Sequence, residues 1–235
     1  MKTNFLSRLL RLDTLQKKGD GKRLALRYLY SALGVLLIGF GCGLVVEIAL
    51  GCDTYTCFNR GLWYILTDIF GSFAFGHINL AVNIILFACM LIWGRELIGF
   101  GTLFNMVAVG YIIDFVQYLF RCASVSGTEL SLALRIVIIV AALPVIAFGG
   151  ALYTEAELGV SPFDSLPLIA ERIAGGKLGF GLLRTLEDCF FLTGGLVFGL
   201  ISGKQWELVN VGTVILALGT GYIIAYFRRI LPKLA

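Results

Sequence analysis

Charged residues and prolines are scarce in this chain. Asp, Glu, Lys and Arg make up 14% of its 235 residues, whereas a soluble domain carries about 25%. Proline occurs four times and histidine once. So little charge excludes water as the main solvent of the folded chain. The apolar share of 58% indicates an all-α protein that lies within a lipid bilayer.

Motifs for common catalytic chemistry are also absent from the sequence. It contains no Gly-x-Ser-x-Gly elbow, no phosphate-binding Gly-x-x-x-x-Gly-Lys-Ser/Thr loop and no Cys/His cluster suited to zinc. We therefore expect no enzymatic activity, no cofactor and no metal site. Without an ATP site, any transport would use a gradient or be passive.

Basic residues concentrate at the two ends of the chain. Residues 1–27 contain eight Lys or Arg and two acids, and the tail contains Arg228, Arg229 and Lys233. This bias predicts cytoplasmic termini and an even number of spans. We expect residues 1–26 to form a basic cytoplasmic or interfacial segment, either partly an amphipathic helix over 4–12 or a frayed tail. Nucleic-acid binding is disfavoured because no folded basic domain accompanies the segment.

Six apolar segments are long enough to cross a bilayer, which takes about 20 residues. Two shorter and more polar segments, 53–72 and 161–175, are tolerated in a membrane only where protein or a water cavity covers them. We predict six transmembrane helices plus two half-helices or re-entrant segments. Full crossing by the two short segments would give eight spans, also an even number. The predicted spans are 28–50, 77–94, 98–120, 132–156, 180–202 and 207–227.

The two halves of the sequence resemble each other. Residues 40–58 align with residues 148–166, which superposes Glu47 on Glu155, and the motif GYII at 110–113 recurs at 221–224. We predict two membrane repeats of about 100 residues, 27–121 and 132–228. Three full spans per repeat would insert the second copy upside down, as in many secondary transporters. Four crossings per repeat would make the repeats parallel.

Several motifs are similar to those of a known bacterial family. The segments GCDTYTCFNRGL (51–62), GRELIGFGTLFN (94–105) and ELGVSPFDSLP (157–167) resemble the YczE/YyaS/YitT family of integral membrane proteins. The resemblance covers about residues 28–227. The resemblance implies a multi-spanning inner-membrane protein of the transporter type, and it indicates no particular substrate. The first repeat reads DTYT (53–56) where the second reads SPFD (161–164), so we expect an asymmetric site.

Charged residues within the spans require an explanation, because each costs about 2.5–3.5 kcal/mol at a helix centre. Glu47 and Glu155 lie one turn before the Gly that ends their spans. Two interpretations are open for this pair. The carboxylates line one central cavity and accept protons or a cation, or each reaches interfacial water or a local Arg.

The start of the second short segment also carries polar residues. Ser161 is placed to cap the half-helix, with Pro162 in its first turn. The Asp164 carboxylate either stabilises the positive N-terminal end of that helix dipole or contacts a substrate. Asp53 and Thr56 are the corresponding polar groups of the first repeat.

A third candidate group lies on the fifth predicted span. Arg184 and Asp188 are four residues apart and share a helix face with Glu187 nearby. They form either a structural ion pair or a coupling site, and Asn83 is the neutral counterpart of Asp188 in the first repeat. Cys52 and Cys57 either pair in an oxidising compartment or stay free.

Together these features predict a small secondary transporter for a small polar solute, with proton coupling as one option. The alternative is a non-transporting membrane scaffold or accessory subunit. The lipid bilayer is the expected partner. The sequence defines neither the solute, nor the direction of transport, nor the oligomeric state.

Overall fold

Helices account for nearly all of the described chain. The computed structural model describes residues 21–72, 74–178 and 180–232. The predicted interfacial helix over 4–12 therefore lies outside the described residues. Within them, the helices are α1 (Gly21–Glu47), α2 (Thr54–Phe70), α3 (Phe75–Trp93), α4 (Phe100–Cys122), α5 (Leu132–Glu155), α6 (Pro162–Ile173), α7 (Phe180–Ser202), α8 (Gln205–Leu208) and α9 (Val211–Ile230), with short 3-10 turns at Arg95–Leu97 and Gly127–Glu129.

Five stretches of helix among the described residues are long and apolar enough to cross a membrane. They are Arg23–Glu47, Phe75–Trp93, Phe100–Cys122, Leu132–Glu155 and Leu182–Ser202. Large apolar side chains such as Phe115, Val137 and Phe190 are exposed on these helices. In water this surface would be unfavourable, so it contacts the lipid bilayer.

The helices differ from the predicted segments at two boundaries. The predicted basic segment 1–26 is helical from Gly21 onward, because α1 continues upstream of its apolar core. The predicted span 207–227 is interrupted at its start. The Asn210 side chain accepts a hydrogen bond from Val211 N at 2.7 Å, and this cap begins α9 and separates it from the one-turn helix α8.

Helices α1 and α5 form the most extensive contact of the bundle. Gly34 and Gly149 lie where the two backbones meet, and a Cβ on Gly34 would be 2.6 Å from the Gly149 carbonyl oxygen. Arg27 near the start of α1 pairs with Glu157 just beyond the end of α5, at 3.4 Å. At the other end, Arg135 donates to the carbonyl of Ile48 at 2.7 Å. The two helices are therefore antiparallel.

The turn that follows each of these helices has the same backbone conformation. After α1, Ala49 and Gly51 adopt positive φ angles of 48° and 105°, and after α5, Glu157 and Gly159 adopt 50° and 114°. These residues occupy equivalent positions in the aligned sequences. The alignment of the halves is thus matched by local structure at the point where the chain reverses.

Each turn docks on the start of the last long helix of the other half. Gly212 N donates to the Leu50 carbonyl at 2.8 Å, and Gly101 N donates to the Leu158 carbonyl at 2.8 Å. A second pair of bonds flanks each junction, from Cys52 N to Leu208 O and from Val160 N to Leu97 O. The two halves are therefore joined by reciprocal contacts that satisfy backbone groups away from water.

The two short helices, α2 and α6, pack against the longer helices of the bundle. At 1.5 Å per residue, the 12 residues of α6 extend about 18 Å and the 17 residues of α2 about 25 Å. Both are shorter than the hydrocarbon layer of about 30 Å. Helix α2 packs along α7, and α6 packs between α3 and α7. Their N-termini consequently meet beside the same stretch of α7.

Candidate functional site

Arg184 lies at the centre of a charged cluster on α7. Its guanidinium is 2.7 Å from the carboxylate of Asp164 on α6. It is also 3.4 Å from Glu187 and 3.4 Å from Asp188, both on its own helix. The guanidinium carbon lies 4.5 Å from the ring centroid of Phe163, within cation–π distance. Arg184 thus joins α6 to α7 through charge and through an aromatic face.

The N-terminus of α6 contributes Asp164 to this cluster. The Ser161 hydroxyl accepts a hydrogen bond from Asp164 N at 3.1 Å and donates to the Asp164 carboxylate at 2.6 Å. Pro162 occupies the first turn of the helix. The predicted Ser161 cap is present, and Asp164 both follows the cap and binds Arg184. The two interpretations offered for Asp164 are therefore not exclusive.

The N-terminus of α2 reaches the same place from the other half of the chain. Asp53 caps the helix by accepting a hydrogen bond from Thr56 N at 3.0 Å. The next residue, Thr54, donates its hydroxyl proton to Asp188 at 2.7 Å. Thr56 takes part through its backbone, and its side chain is buried. The first repeat thus supplies Asp53 and Thr54 beside the Arg184 cluster.

Acidic groups outnumber basic groups in this cluster. Among the described residues, Asp164, Glu187 and Asp188 pair with one guanidinium, that of Arg184, and Asp53 lies near Asp188. The side chain of Glu187 is 6% exposed, and among the described residues neither of its oxygens has a hydrogen-bond partner. Buried carboxylates without a full set of partners favour uptake of a proton or a cation.

A neutral polar group adjoins the charged cluster and was missed from sequence. Tyr55 stacks near Phe163, with 4.8 Å between ring centroids, and its hydroxyl faces Asn59 and Asn83. Asn59 donates to the side chain of Asn79 at 3.1 Å, and Asn83 donates to the Asn79 carbonyl at 2.9 Å. The signal available in the sequence was the four-residue spacing of 55 with 59 and of 79 with 83, which places each pair on one helix face.

Glu47 and Glu155 are not part of the cluster, and of the two open interpretations the contacts of this pair fit the one with local partners at the helix ends. Glu155 is buried at the end of α5 and pairs with Arg228 at 2.9 Å. Glu47 ends α1 and accepts a hydrogen bond from Gly127 N at 3.4 Å. Because α1 and α5 are antiparallel, the two carboxylates lie at opposite ends of the helix pair. The interpretation with local helix-end partners describes both positions.

Cys52 and Cys57 are free thiols that contact each other. Their sulfur atoms are 2.8 Å apart, and Cys57 also donates to the carbonyl of Leu208 at 2.8 Å. Both side chains are buried. Across the described residues, no three His, Cys, Asp or Glu side chains are grouped so as to hold a metal ion.

The fold and the cluster define a multi-helix membrane protein with a polar centre. The chain belongs to the family described as "Family of unknown function (DUF6198)", whose match covers residues 25–229. It is similar to an uncharacterized protein of Haemophilus influenzae, with 26% identity over 87% of each chain. It is also similar to two proteins of Bacillus subtilis. These are the uncharacterized membrane protein YczE, at 25% identity over 87% of this chain and 86% of the relative, and the uncharacterized protein YyaS, at 23% identity over 88% and 95%.

The predicted resemblance to YczE and YyaS is thereby confirmed, as is the membrane location. No solved structure matches this chain significantly.

Proposed function

We propose that this protein is a small secondary transporter that moves a small polar solute across the bacterial inner membrane. The observation that carries the proposal is the meeting of two short helix N-termini at a charged cluster inside an apolar bundle. Broken or short helices that meet near the membrane midplane are the usual solute sites of secondary transporters. The proposal assigns the chain no catalytic reaction.

The proposed topology has six spans, two re-entrant half-helices and two inverted repeats. Its support is the antiparallel packing of the equivalent helices α1 and α5, together with the reciprocal docking of their turns. Arg27 on α1 and Arg228 on α9 both pair with acids at the end of α5. These two pairs support a topology with the start of α1 and the end of α9 on one side, and the terminal basic residues would assign that side to the cytoplasm.

Proton coupling is supported by the charge balance of the cluster. Among the described residues, three carboxyl groups pair with the Arg184 guanidinium, so full ionisation would leave two negative charges without a paired cation. Glu187 is the buried member of this set, whereas Asp164 and Asp188 are partly exposed. Burial of an incompletely compensated carboxylate costs several kcal/mol, which favours protonation within the set. A bound solute cation would replace those protons, and this exchange links solute movement to proton movement.

Both short helices are also tied to other elements away from their N-termini, and we take these ties as gates. Arg172 at the end of α6 pairs with Glu96 in the turn before α4, and this hydrogen bond lowers the pKa of the Glu96 carboxyl group. Tyr64, in the third turn of α2, donates to Glu207 on the one-turn helix α8 at 2.7 Å. The two contacts occupy equivalent places in the repeats. Their alternate opening would expose the cluster first to one side and then to the other.

The test is a flux measurement in proteoliposomes with a pH dye inside and a panel of small polar solutes outside. A transported solute should move protons in the wild-type protein. Asp188→Asn should lower this flux at least tenfold, because it removes a carboxylate from the cluster while it keeps the shape of the side chain. The matched control is Asp68→Asn, which changes an exposed acid at the far end of α2. Equal flux in the two variants would reject the site.

A scaffold or accessory subunit is the second candidate function. The observation that favours it is the position of Glu47 and Glu155, which stabilise helix ends and leave fewer acids for a transport site. A folded wild-type protein that moves protons with no member of the panel would favour this candidate.

A further inference from the structure

Most of the buried polar atoms that lack a hydrogen-bond partner around the central cluster are acceptors. Among the described residues, both carboxylate oxygens of Glu187 and the Oδ1 atom of Asn59 are buried without a hydrogen-bond partner. All three atoms are acceptors. The Tyr55 hydroxyl is also buried without a partner and can either donate or accept. Most of the atoms at the site that lack a hydrogen-bond partner are therefore acceptors.

Asn59 is independent evidence for a ligand, because it is neither acidic nor at a helix terminus. It lies in the second turn of α2, and its side chain is fully buried. Its amide nitrogen is used by Asn79, at 3.1 Å, while its oxygen stays unpaired beside Tyr55. A lone acceptor buried in this way is costly unless a donor arrives from water or from a ligand.

Tyr55 connects this amide to the charged cluster. Its ring lies 4.8 Å from that of Phe163, which in turn lies beneath the Arg184 guanidinium at 4.5 Å. The adjacent residue Thr54 binds Asp188. Aromatic faces, carboxylates and an amide oxygen therefore line one continuous region at the N-terminus of α2.

We propose that the solute bound at this region is a small organic cation that carries N–H groups, such as a primary ammonium or a guanidinium group. This inference rests on the proposed transport function and specifies its substrate class. The negative charge excess recognises the cation, and its N–H groups donate to the Glu187 and Asn59 oxygens that lack a hydrogen-bond partner. Arg184 already places a cation of this type on the Phe163 ring.

A quaternary ammonium ion separates this proposal from a general preference for positive charge. Tetramethylammonium keeps the charge but has no N–H donor. It would give the Glu187 and Asn59 oxygens no hydrogen bond, so the site should bind it more weakly than methylammonium. Sodium ions provide a second comparison, since oxygen ligands alone would also hold a metal cation.

The experiment is the binding of radiolabelled methylammonium to the purified full-length protein in detergent, with unlabelled competitors. We expect saturable binding that guanidinium displaces, and displacement by tetramethylammonium or sodium only at concentrations at least about tenfold higher, as expected for the loss of charge-assisted hydrogen bonds. Binding should weaken by a similar factor in Asp188→Asn and in Asn59→Leu, and stay unchanged in Asp68→Asn. If Asn59→Leu fails to fold, the Asp188→Asn result decides, because that variant keeps the side-chain shape.

Three results would overturn the inference. They are the absence of saturable binding to folded wild-type protein, equal competition by tetramethylammonium or sodium, and unchanged binding in Asp188→Asn. Methylammonium binding without any coupled proton flux would support the proposed ligand class and contradict the proposed transport function. Flux driven by an anionic or uncharged solute, without methylammonium binding, would support the transport function and contradict the ligand class.

Discussion

The reciprocal junctions between the two halves give the most quantitative prediction. Gly99 lies before α4, where the turn after α5 docks. A Cβ at this position would be 1.9 Å from the carbonyl oxygen of Leu158 and 2.5 Å from its carbonyl carbon. Both atoms belong to the backbone, so no rotamer change can relieve the clash. Gly99 has φ −152°, a value that any residue adopts. The Gly99→Ala substitution therefore tests contact rather than backbone strain.

The cost follows from what must move. The turn has to shift by about 1.5 Å to reach an ordinary contact distance of about 3.4 Å. This shift weakens the bonds from Gly101 N to Leu158 O, at 2.8 Å, and from Val160 N to Leu97 O, at 3.0 Å. Overpacking costs about 1–3 kcal/mol and each lost bond about 0.5–1.5 kcal/mol. We expect Gly99→Ala to lower the free energy of unfolding by about 2–6 kcal/mol.

Reversible unfolding by SDS titration in mixed micelles would measure this change. Gly212→Ala at the reciprocal junction should cost a similar amount, because its Cβ would be 2.4 Å from the Leu50 carbonyl oxygen. Gly203→Ala is the control. Its φ is 69° and no atom lies within 4 Å of the added Cβ, so only backbone strain of about 1–2 kcal/mol applies. A Gly99→Ala protein within about 0.5 kcal/mol of the wild type would refute the reasoning.

Two further predictions separate structural carboxylates from those of the site. Asp114 accepts hydrogen bonds from Phe75 N and Gly76 N and so caps α3, at 3.0 and 2.6 Å. Asp114→Ala should lower the free energy of unfolding by about 1–2 kcal/mol in the same titration. An unchanged free energy would show that the Asp114 cap does not stabilise α3. Glu155→Gln should keep solute-dependent proton flux and reduce stability by no more than about 1 kcal/mol, because its partner Arg228 is half-exposed. Loss of proton flux in a folded Glu155→Gln protein would show that Glu155 takes part in transport.

The positions of the long helices could be predicted because apolar runs and caps act within a short stretch of sequence. A run of about 20 apolar residues must satisfy its backbone hydrogen bonds internally when it lies in lipid. The predicted segments 77–94 and 98–120 accordingly became Phe75–Trp93 and Phe100–Cys122. Ser161 before Pro162 likewise indicated the start of α6, since a cap depends only on neighbouring residues.

The composition of the site was only partly predictable. The spacing of Arg184 and Asp188 placed them on one face of α7, which is a property of the helix alone. The partner on α6, Asp164, and the partner on α2, Thr54, are 20 and 134 residues away from their contacts in the chain. Such distances are joined only by the packing of α2 and α6 against α7.

The contacts of Glu47 and Glu155 could not be predicted for a related reason. Equivalent positions in two repeats share the same depth along their helices, but antiparallel packing of α1 and α5 sends those positions to opposite ends.

The sequence by itself determined that the chain is a membrane protein, where most of its long helices lie and which two segments are shorter and more polar than the others. These properties follow from solvation and from local hydrogen bonding. Only the tertiary structure decided which polar groups meet, because the relative direction and depth of the helices set those contacts. The N-termini of α2 and α6 converge on Arg184, and Tyr55 with Asn59 joins them, because the two halves dock through reciprocal turns.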